Sequence, residues 1–187
     1  MDIKLIPGSW ETKRLIVKDS NLEEVEELQA IDDIVPQTRG WSRKEGEELA
    51  ENPILATLKE GALPPNGRGE RFRMQSIRTR DTHRLIGFLT VYHGFPSEEV
   101  LWITTLTLHP DDQGKGYGGE LINELVEVVG DLGSYSKIQT FVPLLNWPSL
   151  RLCMKVGFNK MVRIEGDKVY SKDGEAHVLL EKNIFEV

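Results

Sequence analysis

The sequence predicts a mixed α/β fold of the α+β kind, with a mostly antiparallel central sheet flanked by helices. Three observations predict it. Up to residue 108, strand-like stretches follow one another across short turns, as in hairpins. After residue 130 they alternate with helical stretches, which places helices on the faces of the sheet. Between the two regimes, Leu101 to Glu127 reads as strand, glycine loop and helix. Its first half is rich in β-branched and aromatic residues, Pro110 stops it, and Leu121, Ile122, Leu125, Val128 and Val129 then recur at helical spacing.

Taken in order, Thr12 to Lys18 alternates as a first strand, and Asp19-Ser20-Asn21 forms a cap region. Leu22, Val25, Leu28 and Ile31 then make a helical stripe. Glu23, Glu24, Glu26 and Glu27 on that helix read as a solvated acidic face near its N-terminus rather than as an amine-attracting rim. Ser42 to Glu51 reads as a helix with a capping box of Ser42 and Glu45. From Asn52 to Gly69 the pattern loosens: Leu55, Leu58 and Leu63 suit a short helix, and Pro64-Pro65-Asn66-Gly67 a turn, in a connection that is either an acceptor-site wall or a plain surface loop. Arg71 to Thr79 and His83 to Tyr92 are two strands joined by Arg80-Asp81-Thr82, and Val100 to Leu108 continues the sheet. After the glycine loop and its helix come a strand at Lys137 to Val142, a helix from Asn146, and strands at Phe158 to Glu165 and His177 to Ile184.

A chain of 187 residues, 39% of them hydrophobic, is expected to form one domain over residues 1–187. Its net charge of −7 argues against a nucleic-acid partner, which demands a basic face. The single cysteine excludes an internal disulfide and suits a reducing compartment. With no apolar signal core and no uninterrupted apolar run near 20 residues, the expected protein is soluble and cytoplasmic, with no membrane partner. A homodimer is compatible with this composition. His83, His93, His109 and His177 are scattered without ligand spacing, so no metal is expected. Trp10, Trp41, Trp102 and Trp147 read as core or edge packing.

Gly114, Gly116, Gly118 and Gly119 stand between the strand and the helix, where free backbone N–H groups and the positive end of the helix dipole would attract a pyrophosphate. Gly114, Gly116 and Gly119 match G-x-G-x-x-G, but the next strand ends in Pro143 with no carboxylate to hold a ribose, which speaks against a dinucleotide site. A Walker loop needs Ser or Thr after Gly-Lys, and Lys115 is followed by Gly116. A mere connection would spend four glycines in six residues at a large entropic cost.

Gln113-Gly114-Lys115-Gly116-Tyr117-Gly118, preceded by Leu106-Thr107-Leu108-His109-Pro110, resembles the Q/R-x-x-G-x-G/A acyl-CoA loop of the GNAT superfamily of N-acetyltransferases. A second motif lies at a suitable distance: Asn146 to Phe158, Asn-Trp-Pro-Ser-Leu-Arg-Leu-Cys-Met-Lys-Val-Gly-Phe, is similar to the family's N-x-x-A/S…LYEKLGF helix. The resemblance implies acetyl-CoA as co-substrate, an amine acceptor and no metal. By that resemblance, Leu106, Thr107 and Leu108 would present backbone groups to the pantetheine and the thioester carbonyl. Gly114, Lys115, Gly116, Tyr117, Gly118 and Gly119 would hold the pyrophosphate, with Gln113 bracing the loop.

Asn146, Ser149 or Leu150, and Cys153 share one face of the second helix, and Pro148 sits in its first turn, where a missing N–H costs little. Asn146 reads equally as a helix cap and as a partner for the pantetheine arm; the resemblance implies the latter, with Ser149 beside it. Where the family helix usually carries a tyrosine acid, this chain has Cys153, either a thiol acid or a small buried residue. Glu11 to Val17 is similar to the opening of the ribosomal-protein N-terminal acetyltransferase branch, and the position that can hold a glutamate base, five residues before Asn146, is Phe141. The expected function is acetyl-CoA-dependent transfer to a primary amine, of a small molecule or a peptide N-terminus, by direct attack on the thioester. The alternative is a non-catalytic acyl-CoA binding or sensing module on the same fold.

Overall fold

The computed structural model describes residues 3–35, 51–166 and 176–185. Eight strands form one sheet in the order β1-β2-β3-β4-β5-β6-β8-β7. They are β1 (Ser9–Glu11), β2 (Leu15–Asp19), β3 (Phe72–Thr79), β4 (Leu85–His93), β5 (Val100–Leu108), β6 (Lys137–Pro143), β7 (Lys160–Glu165) and β8 (His177–Asn183). Every neighbouring pair is antiparallel except β5 with β6, so the sheet is mixed and mostly antiparallel, as the order of elements predicts. The α-helices among the described residues are α1 (Val25–Ile34), α2 (Pro53–Glu60), α3 (Tyr117–Leu132) and α4 (Trp147–Lys155).

Strand β4 is buried at all nine positions, and its side chains feed both faces. Leu89 and Val91 join the core beneath α3 and α4, with Leu121, Leu125, Val129, Leu150 and Phe158. Phe88 joins the core beneath α1 and α2, with Leu28, Ile31, Ile54 and Met74. Further along that face, Tyr92, Trp102 and Leu179 make a third cluster, with Phe141 packed against it.

The leading strand β1 goes unread in the sequence, because three residues are too few to show a period of two. The helix expected at Ser42–Glu51 lies outside the described residues, apart from Glu51. In the loose stretch, Pro53–Glu60 is the helix, entered through an Asn52 side-chain cap on Leu55 N at 2.8 Å, and Leu63 lies beyond it. The acidic cluster on the first helix divides. Glu23, Glu26 and Glu27 are exposed, whereas Glu24 accepts hydrogen bonds from Ser76 Oγ at 2.9 Å and Arg78 Nη2 at 2.7 Å, tying the helix to β3.

Candidate functional site

The site begins where the sheet opens. β5 pairs with β4 along its length, but with β6 only from Val100–Lys137 to Ile103–Thr140. Thr140 Oγ1 closes that ladder with a 3.0 Å bond to Ile103 O. β5 then runs on to Leu108 and β6 to Pro143, and their registered pairing has ended. Just past the last rung, Thr105 pairs with Thr90 and Ile103 with Val91, so Thr104 is the extra residue of a β-bulge. Leu106, Thr107 and Leu108 form the far end of β5, held on the β4 side alone, and Thr107 is buried with a hydroxyl that has no hydrogen-bond partner. At this end β4 approaches so closely that a Cβ on Gly87 would lie 2.1 Å from Thr107 O.

Beyond Leu108, a 3-10 turn at Pro110–Asp112 leads into the glycine stretch. Gln113 Nε2 donates to Leu108 O at 2.9 Å, fastening the loop to the strand. Asp112 is almost fully buried and accepts two bonds from Arg84, at 2.9 and 2.7 Å, and one from Lys115 Nζ at 3.0 Å. The Arg84 guanidinium, then Lys115, hold its carboxyl below the usual carboxylate range against the upward push of burial. Lys115 thus brings its charge to the loop already paired with Asp112.

Only two of the four glycines have the left-handed backbone: Gly114 at φ 73° and Gly116 at φ 84°. Gly118 and Gly119 lie in the first turn of α3, and what glycine provides there is room. A Cβ on Gly118 would stand 3.0 Å from Leu152 Cδ2, and one on Gly119 3.8 Å from Val156, so these two let α4 pack against α3. Gly116 caps α3 without a side chain, and the first-turn N–H groups, including that of Tyr117, are the ones an α-helix leaves without internal acceptors.

A bracket that the motifs do not reveal holds this loop from the other end of the chain. Arg14 Nε donates to Glu120 Oε2 at 2.6 Å, Arg14 Nη1 to Lys115 O at 3.1 Å, and the guanidinium lies 4.4 Å from the centre of the Tyr117 ring. Thr12 Oγ1 and Arg14 N also donate to Glu120 Oε1, at 2.5 and 2.7 Å. Burial pushes the Glu120 carboxyl up, but these bonds from Thr12 and Arg14 outweigh it and leave the group below its ordinary value. Sequence offers no signal for this, since Arg14 and Glu120 are 106 positions apart.

Asn146 caps α4, its Oδ1 accepting from Ser149 N at 3.1 Å. The oxygen is therefore engaged by the helix, and the amide NH₂ is the part of the side chain left for a ligand. Cys153 lies in the core beneath α3 and α4, and burial pushes its thiol up to about 11. Phe141 packs edge-on against Trp102 at 5.3 Å, in the third cluster. The structure thus brings the β5 end, Gln113 and the glycine turn together, sets Asn146 and Ser149 at the start of α4, and turns Cys153 into the core.

On the α1 and α2 side, a narrow, partly open pocket of about 20 Å³ lies beside the bulge, lined by Asp32, Thr57, Phe88, Thr90, Thr104 and Thr105 among others. It is large enough for one water-sized group. The Thr90 and Thr104 hydroxyls are buried without hydrogen-bond partners. A wider cavity of about 430 Å³, between the end of α2 and the start of β3, lies toward the opposite end of the strands from the glycine turn. Among the described residues, no group of three or more His, Cys, Asp or Glu is placed to hold a metal ion, and no helix is long and apolar enough to cross a membrane.

A mixed sheet opened beside a parallel pair, with a glycine turn at a helix N-terminus under the opening, is the frame of an acyl-CoA-dependent transferase. The family model of the Acetyltransferase (GNAT) family matches residues 30–158, more than half of the sequence, and the chain belongs to that family. Solved structures with the same fold include the ribosomal-protein-S5-alanine acetyltransferase of Vibrio fischeri, at 15% identity and TM-score 0.67, covering 95% of this chain and 97% of that one. The ribosomal-protein-S18-alanine N-acetyltransferase of Escherichia coli matches at 15% identity and TM-score 0.63, covering 92% and 96%. A GNAT-family acetyltransferase of Bacillus anthracis matches at 14% identity and TM-score 0.70, covering 95% and 99%. No curated protein sequence matches the chain. The family uses acetyl-CoA as co-substrate, and membership supports acetyl transfer as the general activity.

Proposed function

We propose that the chain is a single N-acetyltransferase domain that moves the acetyl group of acetyl-CoA to a primary amine, of a small molecule or a peptide N-terminus, by direct attack on the thioester. The observation that carries this reading is the free end of β5 beyond the Ile103–Thr140 rung, set directly before the glycine turn at the start of α3. An extended pantetheine arm fits a strand end that has lost its neighbour, and the pyrophosphate fits the N–H groups of the turn and the first helical residues. Asn146 NH₂ and Ser149, at the start of α4, would flank the arm.

In the reaction the neutral amine's lone pair attacks the thioester carbon, a C–N bond forms as the C–S bond breaks, the nitrogen sheds one proton, and the sulfur leaves as a thiolate that takes one up. A backbone N–H at the end of β5 would stabilise the carbonyl oxygen as it gains charge. Holding both reactants in line supplies much of the rate, since effective molarities reach about 10⁵ M or more. A thiol at about 11 is a poorer acid than an ordinary thiol at about 8.5, so the burial of Cys153 favours packing over proton donation, and water carries the protons. The acceptor amine would approach on the α1 and α2 side of the bulge, where the Thr90 and Thr104 hydroxyls line a narrow pocket and would accept a hydrogen bond from it.

The test measures free-CoA release against a panel of small amines and peptide N-termini. Release above the slow reaction with water is expected for at least one acceptor, with Thr104→Val raising the KM for that acceptor and leaving CoA affinity unchanged. CoA binding without release for any acceptor would transfer the reading to the non-catalytic module.

A further inference from the structure

A proton has to leave the attacking nitrogen, and the side from which the amine would come presents the imidazole of His177. This residue opens β8 and is half-buried. It stands opposite Pro143 at the end of β6, and Leu144 N donates to Ala176 O at 2.9 Å, which fastens the start of β8 to the connection into α4. Two residues on, Leu179 stands opposite Phe141. His177 and Leu179 therefore share a face of the sheet, the α1 and α2 face on which Leu179 meets Trp102 and Phe141. The imidazole packs edge to face with the Phe141 ring, the two centroids 6.4 Å apart.

Phe141 relates that imidazole to the opening. It follows Thr140, whose hydroxyl closes the β5–β6 ladder, so it is the first residue of β6 past the last rung. Its ring meets Trp102 of β5 on one side and His177 of β8 on the other. Trp102 in turn lies two residues before the bulge at Thr104, on the same face. One phenyl ring thus separates His177 from the strand that would hold the thioester, a gap that a bridging water spans. Phe141 has no proton-accepting atom of its own, and Cys153 is turned into the core. The charged groups facing the imidazole come from β7: Glu165, its registered partner, and Arg163, which lies over the Phe141 ring and donates to Glu165. The facing residues of β6, Phe141 and Pro143, are uncharged.

We propose, resting on the acetyl-transfer reading, that His177 is the proton acceptor of the reaction and reaches the amine nitrogen through one water. As the C–N bond forms and the C–S bond breaks, the nitrogen gives its proton to the bridging water, and that water gives one to the imidazole. The imidazolium then releases a proton to solvent, and solvent protonates the thiolate, so no proton is gained or lost overall. Imidazole suits this task because its charge changes between about pH 5 and 8.

The pH profile tests it, since amine and imidazole must both be neutral to react. With an amine from the panel, log kcat/KM should climb with a slope of two at the acid end and a slope of one above about pH 7. His177→Gln should climb with a slope of one throughout and run about a hundredfold slower near pH 8, with CoA affinity unchanged by calorimetry. Added imidazole should restore part of the rate of His177→Ala, which a packing role would not allow. Apart from turnover, CoA carrying an aminoethyl group on its sulfur sets an ammonium at the reaction centre. In that complex the NMR titration of the His177 ring should lie about half a pH unit lower than in the CoA complex, as like charges repel. Equal slopes in the parent and His177→Gln, no rescue by imidazole, or an unmoved His177 titration would overturn this role and leave acetyl transfer standing. No CoA release from any amine would overturn the transfer reading and the role of His177 with it.

Discussion

Gly116→Ala separates a backbone requirement from mere smallness. Gly116 has φ 84° and ψ 2°, where an L side chain costs about 1–2 kcal/mol, and the added methyl would stand 3.4 Å from Arg14 Nη2. That cost falls either on the free protein, as lost stability, or on the complex, as lost affinity. The two losses, measured on one protein by chemical denaturation and by calorimetric titration with CoA, should therefore sum to about 1–2 kcal/mol, or roughly five- to thirtyfold in equilibrium constants. The smaller entropy of the unfolded alanine chain trims the stability part by about 0.4–1 kcal/mol. Gly119→Ala is the control for folding: its methyl meets only Val156 and Leu152 at 3.8 and 3.9 Å in a helix, so stability should hold or rise. Unchanged stability together with unchanged CoA affinity in Gly116→Ala would refute the backbone requirement at this residue.

Arg14→Ala removes the bonds to Glu120 and Lys115 O and the cover of Tyr117, and should weaken CoA by about three- to tenfold, the worth of about one hydrogen bond. Arg14→Lys should not restore it, because one ammonium cannot reproduce the fork; calorimetry decides, and full affinity in either variant would remove the bracket from the site. Buried His93 accepts from Ile6 N at 3.1 Å, and burial lowers its pKa from 6.5 to about 4. The unfolded chain then takes up the proton first, so this contribution to stability is whole above pH 6.5 and is lost as pH falls to about 4, a loss of about 3 kcal/mol. Denaturant midpoints should fall less steeply with acid in His93→Gln than in the parent, and parallel profiles would contradict this. Cys153→Ala and Cys153→Ser should keep the maximal rate while lowering the melting point, as a packing residue does; a tenfold slower alanine form would make the thiol the acid.

Much of this frame is written locally. The hairpin turns, the proline after β5 and the period of α3 announce the order of elements, because each is set by neighbours within a few positions. The strand-to-helix glycine stretch is equally plain, and Pro148 in the first turn of α4 fits Asn146 as a cap. What escapes is set across the chain. The end of the β5–β6 ladder depends on a Thr140 hydroxyl meeting Ile103, the bulge at Thr104 on pairing with β4, and the Arg14 bracket on a contact over 106 positions. Gly118 and Gly119 look like loop residues until Leu152 and Val156 are seen against them.

Among the described residues, the four rungs between β5 and β6 are the sole registered pairing between β1–β5 and the trio β6, β8 and β7. The smaller piece is closed at the chain's end, since β6 finds its second neighbour in β8 only after residue 177 has been reached. Such a seam divides a protein into units that open at different free energies. Native-state amide exchange should therefore resolve two steps, with the β6, β8 and β7 amides released below the global threshold and those of β3 and β4 at it. A ligand held by β5 on one side and the start of α4 on the other would bind across that seam and merge the two steps into one.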